Sequence, residues 1–154
     1  MGKNVVRREV ALALAACESK KAGATTVLDM RVATSGFTDY FVITSGGNPR
    51  QIQAISDEVE LKLGLAGVRP THVEGYRQAE WVLLDYVDFV VHVFSGRARK
   101  FYDLERLWRS APRVNAQHFT APARAKPRAV KAKRAAPGGK TRVRAAKGPR
   151  KKKK

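Results

Sequence analysis

Two apolar runs in the middle of the chain form its clearest hydrophobic pattern, Trp81–Asp85 and Phe89–Phe94. Both runs are rich in Val, Leu and Phe, which suit a pleated and half-buried surface. Three residues, 86–88, separate them, and so short a gap predicts a β-hairpin. After Gly96 a helical spacing of apolar residues predicts a final helix that folds back onto the sheet. Its apolar positions are Phe101, Leu104, Leu107 and Trp108.

The N-terminal half predicts two helices and two strands. Residues 4–21 carry an apolar stripe at helical spacing and predict the first helix. Thr25–Val32 alternates between apolar and polar positions, which is typical of a strand with one buried face. Tyr40–Thr44 is a continuous apolar run and predicts a strand buried on both faces. Asn48 as N-cap and Pro49 at the first helical position predict the start of the second helix.

One further strand is predicted before the hairpin, at Val68–Val73, where Pro70 indicates a sheet edge. The element order is then α-β-β-α-β-β-β-α. Short links favour pairing of consecutive strands, and the second helix crosses between the second and third strands. The sequence therefore predicts the α/β fold class, with a mixed sheet of about five strands flanked by helices.

Charge divides the chain into two parts. Residues 1–109 hold 15 Lys/Arg and 13 Asp/Glu, a net charge of +2, whereas 110–154 hold 16 Lys/Arg and no acid. The second part contains five of the seven prolines, and its apolar residues are mostly Ala. Such a segment buries too little apolar area to offset its ordering entropy. We therefore predict an α/β domain at 1–109 and a disordered Lys/Arg/Ala/Pro-rich tail at 110–154.

The expected compartment is the cytoplasm. Cys17 is the single cysteine, so an intrachain disulfide is excluded and a buried, inert thiol is expected. No apolar run approaches the ~18 residues that a membrane span needs. The N-terminus lacks the apolar segment of a signal peptide. We expect no membrane association.

Catalytic signals are weak. The segment Ser-Gly-Gly-Asn at 45–48 lies between a strand and a helix, where backbone N–H groups could hold a phosphate. Neither a Walker pattern nor G-x-G-x-x-G is present, and two glycines before a helix more often form a tight turn. His72 and His92 are 20 residues apart without a second pair of ligands, and His92 is expected to be a hydrogen-bonded core or edge histidine. We predict no catalytic residue, metal or cofactor, and keep a nucleotide-using enzyme as an alternative.

The hairpin carries polar residues that its core role does not explain. Trp81, Leu83 and Asp85 share one strand face, and Val82 and Leu84 share the other. Large aromatic residues beside acids suit a protein-binding surface. The alternative is that Trp81 packs under a helix and Asp85 caps the turn.

The basic tail is expected to bind polyanions, because each Lys or Arg near a phosphate releases counterions. A tail that only solubilises the protein is one alternative, and a protein that binds RNA or DNA non-specifically through the tail is another. The tail residues predicted to contact nucleic acid are Lys131, Lys133, Arg134, Arg142, Arg144, Lys151, Lys152, Lys153 and Lys154.

Four motifs occur in order: TTVLDMR, SGFTDYFVITSGGNPRQIQAI, HVEG and WVLLDYVDFVVHVFSGRARKFYDLERLW. Together they resemble the Iojap-like ribosomal silencing factor family (RsfS), over about residues 5–109. The resemblance implies a nucleotidyltransferase-like fold without catalytic function. It also implies a translational repressor that binds the large ribosomal subunit through ribosomal protein fourteen. Such binding sterically blocks joining with the small subunit, notably under nutrient limitation.

The resemblance also indicates which residues contact the ribosomal protein and which group of organisms the chain comes from. Its motifs carry the expected ribosomal-protein contacts onto Asp39, Glu74, Gly75, Trp81, Asp85, Arg99 and Tyr102. Trp81 and Tyr102 would supply apolar area, and the acids would meet basic residues of the partner. The tail is expected to touch ribosomal RNA. A bacterial, cytoplasmic protein is favoured, and a homodimer off the ribosome, through an edge strand, is left open.

Overall fold

The computed structural model describes residues 2–33 and 37–120 of the 154-residue chain. Eleven elements follow one another: α1 (Gly2–Ser19), β1 (Gly23–Asp29), β2 (Tyr40–Gly46), α2 (Pro49–Leu65), β3 (His72–Glu74), β4 (Trp81–Asp85), β5 (Phe89–Ser95), α3 (Gly96–Tyr102), α4 (Leu104–Leu107), β6 (Arg113–Val114) and α5 (Gln117–Thr120). The strands form one six-stranded sheet in the order β3-β4-β5-β2-β1-β6.

The sheet is mixed, as the sequence predicts. β2 and β5 pair in parallel at its centre, while β1–β2, β1–β6, β3–β4 and β4–β5 are antiparallel. The parallel pair arises because α2 and the β3–β4 segment carry the chain from the end of β2 back to the start of β5. The α/β fold class and the hairpin at 81–95 are confirmed, and the edge strand lies at 72–74 instead of 68–73.

The first face of the sheet is covered by the two long helices. α1 buries the predicted stripe, including Val10 and Cys17, against α2 and the sheet. Asn48 caps α2 as predicted, because its Oδ1 accepts the backbone N–H of Gln51 at 2.8 Å. Gly46 is required just before this cap, since a Cβ there would lie 2.8 Å from Ile52 Cγ1. This face holds the larger of the two apolar cores.

The second face is covered only in part. α3 packs on β5 and β2, and Leu104 of α4 is buried beside Leu28 and Phe41. The residues of β4 that point to this face stay half-buried, and all three residues of β3 are exposed. A half-covered sheet face therefore extends over β3 and β4.

The predicted final helix is two helices. Asp103 adopts the left-handed conformation (φ 46°) and ends α3, with its N–H donating to the Arg99 carbonyl at 2.9 Å. This break turns Phe101 and Leu107 outward, to 78 % and 68 % exposure, and buries only Leu104 fully. The expectation that Phe101 packs on the sheet is wrong. At the last apolar position, predicted as Leu107 or Trp108, it is Trp108 that packs, with its ring centroid 6.2 Å from that of Phe41.

The folded part does not end at residue 109. β6 pairs with β1, placing Val114 opposite Val27, and Ala111 is buried. Phe119 is also buried, with its ring 5.2 Å from that of Tyr40 and the Arg7 guanidinium 5.0 Å from its centroid. Paired and buried residues therefore continue past the predicted boundary at 109/110, as far as Phe119. The tail residues predicted to contact nucleic acid, from Lys131 to Lys154, lie outside the described residues.

The buried position of Phe119 can be tested by its effect on stability. We expect Phe119→Ala in the full chain to lower the free energy of unfolding by about 3 kcal/mol, because a buried ring and its contacts are lost. Phe101→Ala is the matched control, and its exposed ring should change stability by less than about 0.5 kcal/mol. Urea unfolding followed by circular dichroism measures both values. Equal stability of the two variants would contradict the packing of Phe119 on the domain.

Candidate functional site

The half-covered end of the sheet brings most of the predicted contact residues to one face. Strand register pairs Glu74 with Leu83 across β3 and β4, and cross-strand partners point to the same side. Trp81 and Asp85 follow at a period of two along β4. Tyr102, from α3, lies beside Trp81 with ring centroids 4.6 Å apart. We call Glu74, Trp81, Leu83, Asp85 and Tyr102 the docking surface.

Trp81 is half-buried and held from several directions. Its Nε1–H donates to Nδ1 of His92 at 3.1 Å, and its ring stacks on Phe94 with centroids 5.0 Å apart. Val82 and Leu84, by contrast, are fully buried on the first face. The predicted alternation of a protected and a less protected face is confirmed. Trp81 therefore presents a fixed ring at the surface.

His92 supports Trp81 from within the sheet. Because its Nδ1 accepts a hydrogen bond, the neutral ring carries its proton on Nε2. Burial lowers the pKa of His92 from 6.5 to about 3, so the ring stays neutral at physiological pH. Nε2 has no hydrogen-bond partner among the described residues, and the Phe41 ring lies 4.5 Å away. The expectation of a hydrogen-bonded core histidine is confirmed.

The acids of the site differ in their surroundings. Glu74 is exposed on β3. Asp85 is half-buried, and its Oδ1 accepts the N–H of Val87 at 2.8 Å, where the hairpin turn takes a positive φ of 71°. Asp85 thus caps the turn, as the alternative interpretation expects. Asp39 is half-buried at the start of β2, and its backbone N–H donates to the Asp88 carbonyl at 2.8 Å.

Two predicted contact residues have internal roles. The Arg99 side chain is 14 % exposed, and its guanidinium donates to Ser45 Oγ at 2.9 Å and to Thr26 Oγ1 at 3.3 Å. It also forms an ion pair with Glu105, so it joins α3 and α4 to the sheet. Gly75 has φ 81°, and a Cβ on it would lie 2.0 Å from the Trp81 carbonyl oxygen. Both residues therefore position neighbouring elements, and their contact with a partner stays a prediction.

The glycine turn before α2 does not provide an open phosphate site. The Gly47 N–H donates to Gln51 Oε1 at 2.7 Å, and Gln51 Nε2 donates to the Lys20 carbonyl at 3.0 Å. Gln51 thereby occupies the N–H that a phosphate would need. Within 2–33 and 37–120, no group of three or more His, Cys, Asp or Glu is placed to hold a metal. No helix of these residues is long and apolar enough to cross a membrane.

Cys17 has the environment of an inert thiol. It is buried between α1 and the sheet, and this burial raises the pKa of the thiol to about 12. The reactive thiolate is therefore negligible at neutral pH.

A family model described as "Ribosomal silencing factor during starvation" (RsfS) matches residues 4–141. This match covers most of the chain. The chain belongs to the RsfS family. The match extends beyond the described residues and beyond the span of 5–109 that the motifs indicate. A silencing role on the ribosome follows from membership.

The relatives of this RsfS-family chain agree in sequence and in fold. The ribosomal silencing factor RsfS of Bacillus subtilis is 42% identical over 101 residues, which are 66% of this chain and 85% of the relative. A crystal structure of a Chromobacterium violaceum protein superposes with a TM-score of 0.61 at 38% identity, covering 63% of this chain and 80% of that one. A Bacillus halodurans crystal structure gives 0.60 at 39% identity, covering 68% and 93%.

A more distant relative is an organellar protein. It is the mouse protein named mitochondrial assembly of ribosomal large subunit protein 1, which is 31% identical over 75 residues, 47% of this chain and 33% of the relative. The names of these relatives, a silencing factor and a ribosome assembly protein, denote regulatory and assembly proteins rather than enzymes.

Sequence reasoning missed two residues of the site. His92 was expected in the core, but its hydrogen bond to Trp81 also orients the docking surface. Leu83 is half-buried between Trp81 and Asp85 on the same face. The alternation of β4 already placed Leu83 on that face, whereas the pairing of His92 with Leu83 across the strands needed the register.

The neutral His92 predicts a pH dependence of stability. Its folded pKa lies below the unfolded value, so the unfolded state binds more protons and stability falls as the pH drops below about 6.5. We expect a loss of about 2 kcal/mol from this group between about pH 7 and 5. Urea unfolding at several pH values measures it. His92→Gln should flatten the profile in this window, and His72→Gln, at an exposed position, should not. Parallel profiles for wild type and His92→Gln would contradict the assignment.

Proposed function

We propose that this protein binds the large ribosomal subunit through ribosomal protein fourteen and sterically blocks joining with the small subunit, notably under nutrient limitation. The observation that carries the proposal is the paired rings of Trp81 and Tyr102 on a sheet face that the chain leaves half-covered. Membership of a family described as silencing the ribosome during starvation supports the same function. The proposed site of action is the bacterial cytoplasm.

The aromatic pair suits a binding anchor because it is fixed before binding. The Trp81 ring is held by His92 and Phe94, and Tyr102 is 48 % exposed beside it. Side chains that are already ordered lose little conformational entropy on association. Aromatic anchors of this kind dominate the binding energy of many protein interfaces.

The acidic residues of this face would orient the partner as it binds. Glu74 lies on β3 at the sheet edge, and Asp85 and Asp39 lie towards the end of the sheet where β5 begins. A basic ribosomal protein would meet negative charge along this face. Complementary charge speeds encounter and selects the binding register more than it adds affinity.

Blocking is steric and requires no chemistry. A folded domain of about 120 residues has a diameter near 30 Å by the usual compact scaling, which is enough to occupy an intersubunit surface. Arg99 and Gly75 contribute by holding α3 and the β3–β4 loop in place.

Co-sedimentation with separated ribosomal subunits tests the proposal. We expect wild type to migrate with the large subunit and Trp81→Ala to bind roughly 30-fold more weakly, as for a hot-spot aromatic. Leu65→Ala is the matched control, because Leu65 is 81 % exposed at the end of α2 on the opposite face. Migration with the small subunit, or no migration, would refute the function. Equal weakening by both variants would refute the docking surface.

We further propose that the tail adds avidity by touching ribosomal RNA, as a second tethered site. Shortening the chain to residues 1–120 removes 15 Lys/Arg. We expect weaker binding to the large subunit and a markedly shallower dependence of affinity on salt, since each lost phosphate contact lowers the slope by about 0.7–0.9. Salt titration of both chains measures this. The same affinity and slope for the two chains would remove the tail from the proposal.

A further inference from the structure

The outward side of the two short helices carries exposed apolar residues. Phe101 is 78 % exposed and Leu107 is 68 % exposed, although both follow the helical apolar pattern. The Phe101 and Tyr102 rings are perpendicular, with centroids 5.0 Å apart, and form a ridge. Neither exposed side chain belongs to the buried core of the second face. Exposed aromatic area of this kind is typical of binding sites.

Two clefts flank this ridge, and arginines line both. The larger cleft, of about 450 Å³, is lined by Asp103, Arg106, Leu107 and Arg109 as well as by the ridge, so its two arginines outnumber its one acid. The smaller, of about 270 Å³, contains Arg97 next to Phe101, together with Glu80, whose carboxylate accepts the Ser95 hydroxyl at 2.9 Å. We call Arg97, Lys100, Phe101, Arg106, Leu107 and Arg109 the outer α3–α4 surface.

Positive charge of the domain is concentrated on this segment. Residues 1–95 hold 10 Lys/Arg and 11 Asp/Glu, whereas 96–109 hold five Lys/Arg and two Asp/Glu. Of the two acids, Glu105 is paired with Arg99 beneath the helices. None of the four exposed cations, Arg97, Lys100, Arg106 and Arg109, forms an ion pair with a described residue. Their charge is therefore presented outward.

This charge is opposite to that of the neighbouring docking surface. Glu74 and Asp85 would attract a basic protein, and the same protein would be repelled by the outer α3–α4 surface. A second, polyanionic partner fits it instead. Guanidinium groups bind phosphate in a bidentate manner, and an exposed aromatic ring stacks on an unpaired base.

We propose that the outer α3–α4 surface binds an unpaired stretch of RNA. A base stacks on Phe101, and backbone phosphates lie against Arg106 and Arg109 in one cleft and Arg97 in the other. The inference rests on the proposed function in one respect, that the RNA belongs to the large subunit beside the docking surface. Tyr102, shared by the ridge and the docking surface, places the two sites side by side.

Fluorescence anisotropy of the full chain with a short labelled RNA, unpaired or annealed to its complement, tests the site. We expect Phe101→Ala to weaken binding of the unpaired RNA roughly tenfold through lost stacking and to leave the duplex unchanged. The double variant Arg106→Gln/Arg109→Gln should lower the salt slope by about 1.4, for two phosphate contacts. All variants keep the tail, so its contribution cancels in the comparison.

The matched control is Arg8→Gln/Arg50→Gln, which removes the same charge from exposed positions on α1 and α2. It should leave the salt slope within error of wild type. An equal slope change in the two double variants would overturn the site, as would equal loss of unpaired and duplex RNA in Phe101→Ala. If the α3–α4 variants lose binding to isolated ribosomal protein fourteen but bind RNA like wild type, the surface belongs to the protein partner, and the proposed RNA site is also overturned.

Co-sedimentation separates failure of the site from failure of the proposed function. If wild type migrates with the large subunit while the α3–α4 variants bind RNA like wild type, the RNA site is refuted and the function stands. If wild type does not migrate with the large subunit, the function is refuted, and the anisotropy result still decides whether the surface binds RNA.

Discussion

The structure depends on how a wide sheet is covered by a chain with too few long helices. Six strands spaced about 4.8 Å apart make a sheet about 24 Å wide. α1 and α2, with 18 and 17 residues, are long enough for one face. The seven residues of α3 span about 10 Å and cover about two strands of the other face. Trp81 of β4 stays accessible as a direct result.

Polar contacts compensate for the small apolar area of the short helices. Ser95 Oγ accepts the Ala98 N–H at 3.0 Å and begins α3, and Arg99 then bonds to Ser45 and Thr26 on two different strands. Hydrogen bonds that are partly buried, as these are, are costly to leave unmade, so they specify one position for the helix. The ridge and the docking surface share this support, which ties partner recognition to the internal packing of the second face.

Local sequence patterns predicted most helices and strands. The structure differs from the prediction where residues pair that are far apart in the chain. The hairpin and the Asn48 cap are encoded within a few residues, and both are confirmed. β6 has only two residues and no periodicity, so its pairing with β1 has no local signal. Arg99 is predicted as a contact only through the family motif, and its internal role has no local signal because its partners, Ser45 and Thr26, lie 54 and 73 residues away. Asp103 adopts the left-handed conformation that glycine usually indicates, so the sequence gives no local signal for the end of α3.

The two ends of the sheet limit self-association into fibres. One edge is β3, with three residues, and the other is β6, with two. A neighbouring chain that added a strand at either edge would gain few backbone hydrogen bonds, and Pro112 beside β6 donates none. The parallel centre of the sheet, rich in Val and Phe, is thereby kept away from the type of edge-to-edge stacking that leads to amyloid. The most β-prone segments of this RsfS-family chain, β2 and β5, are thus shielded inside the sheet.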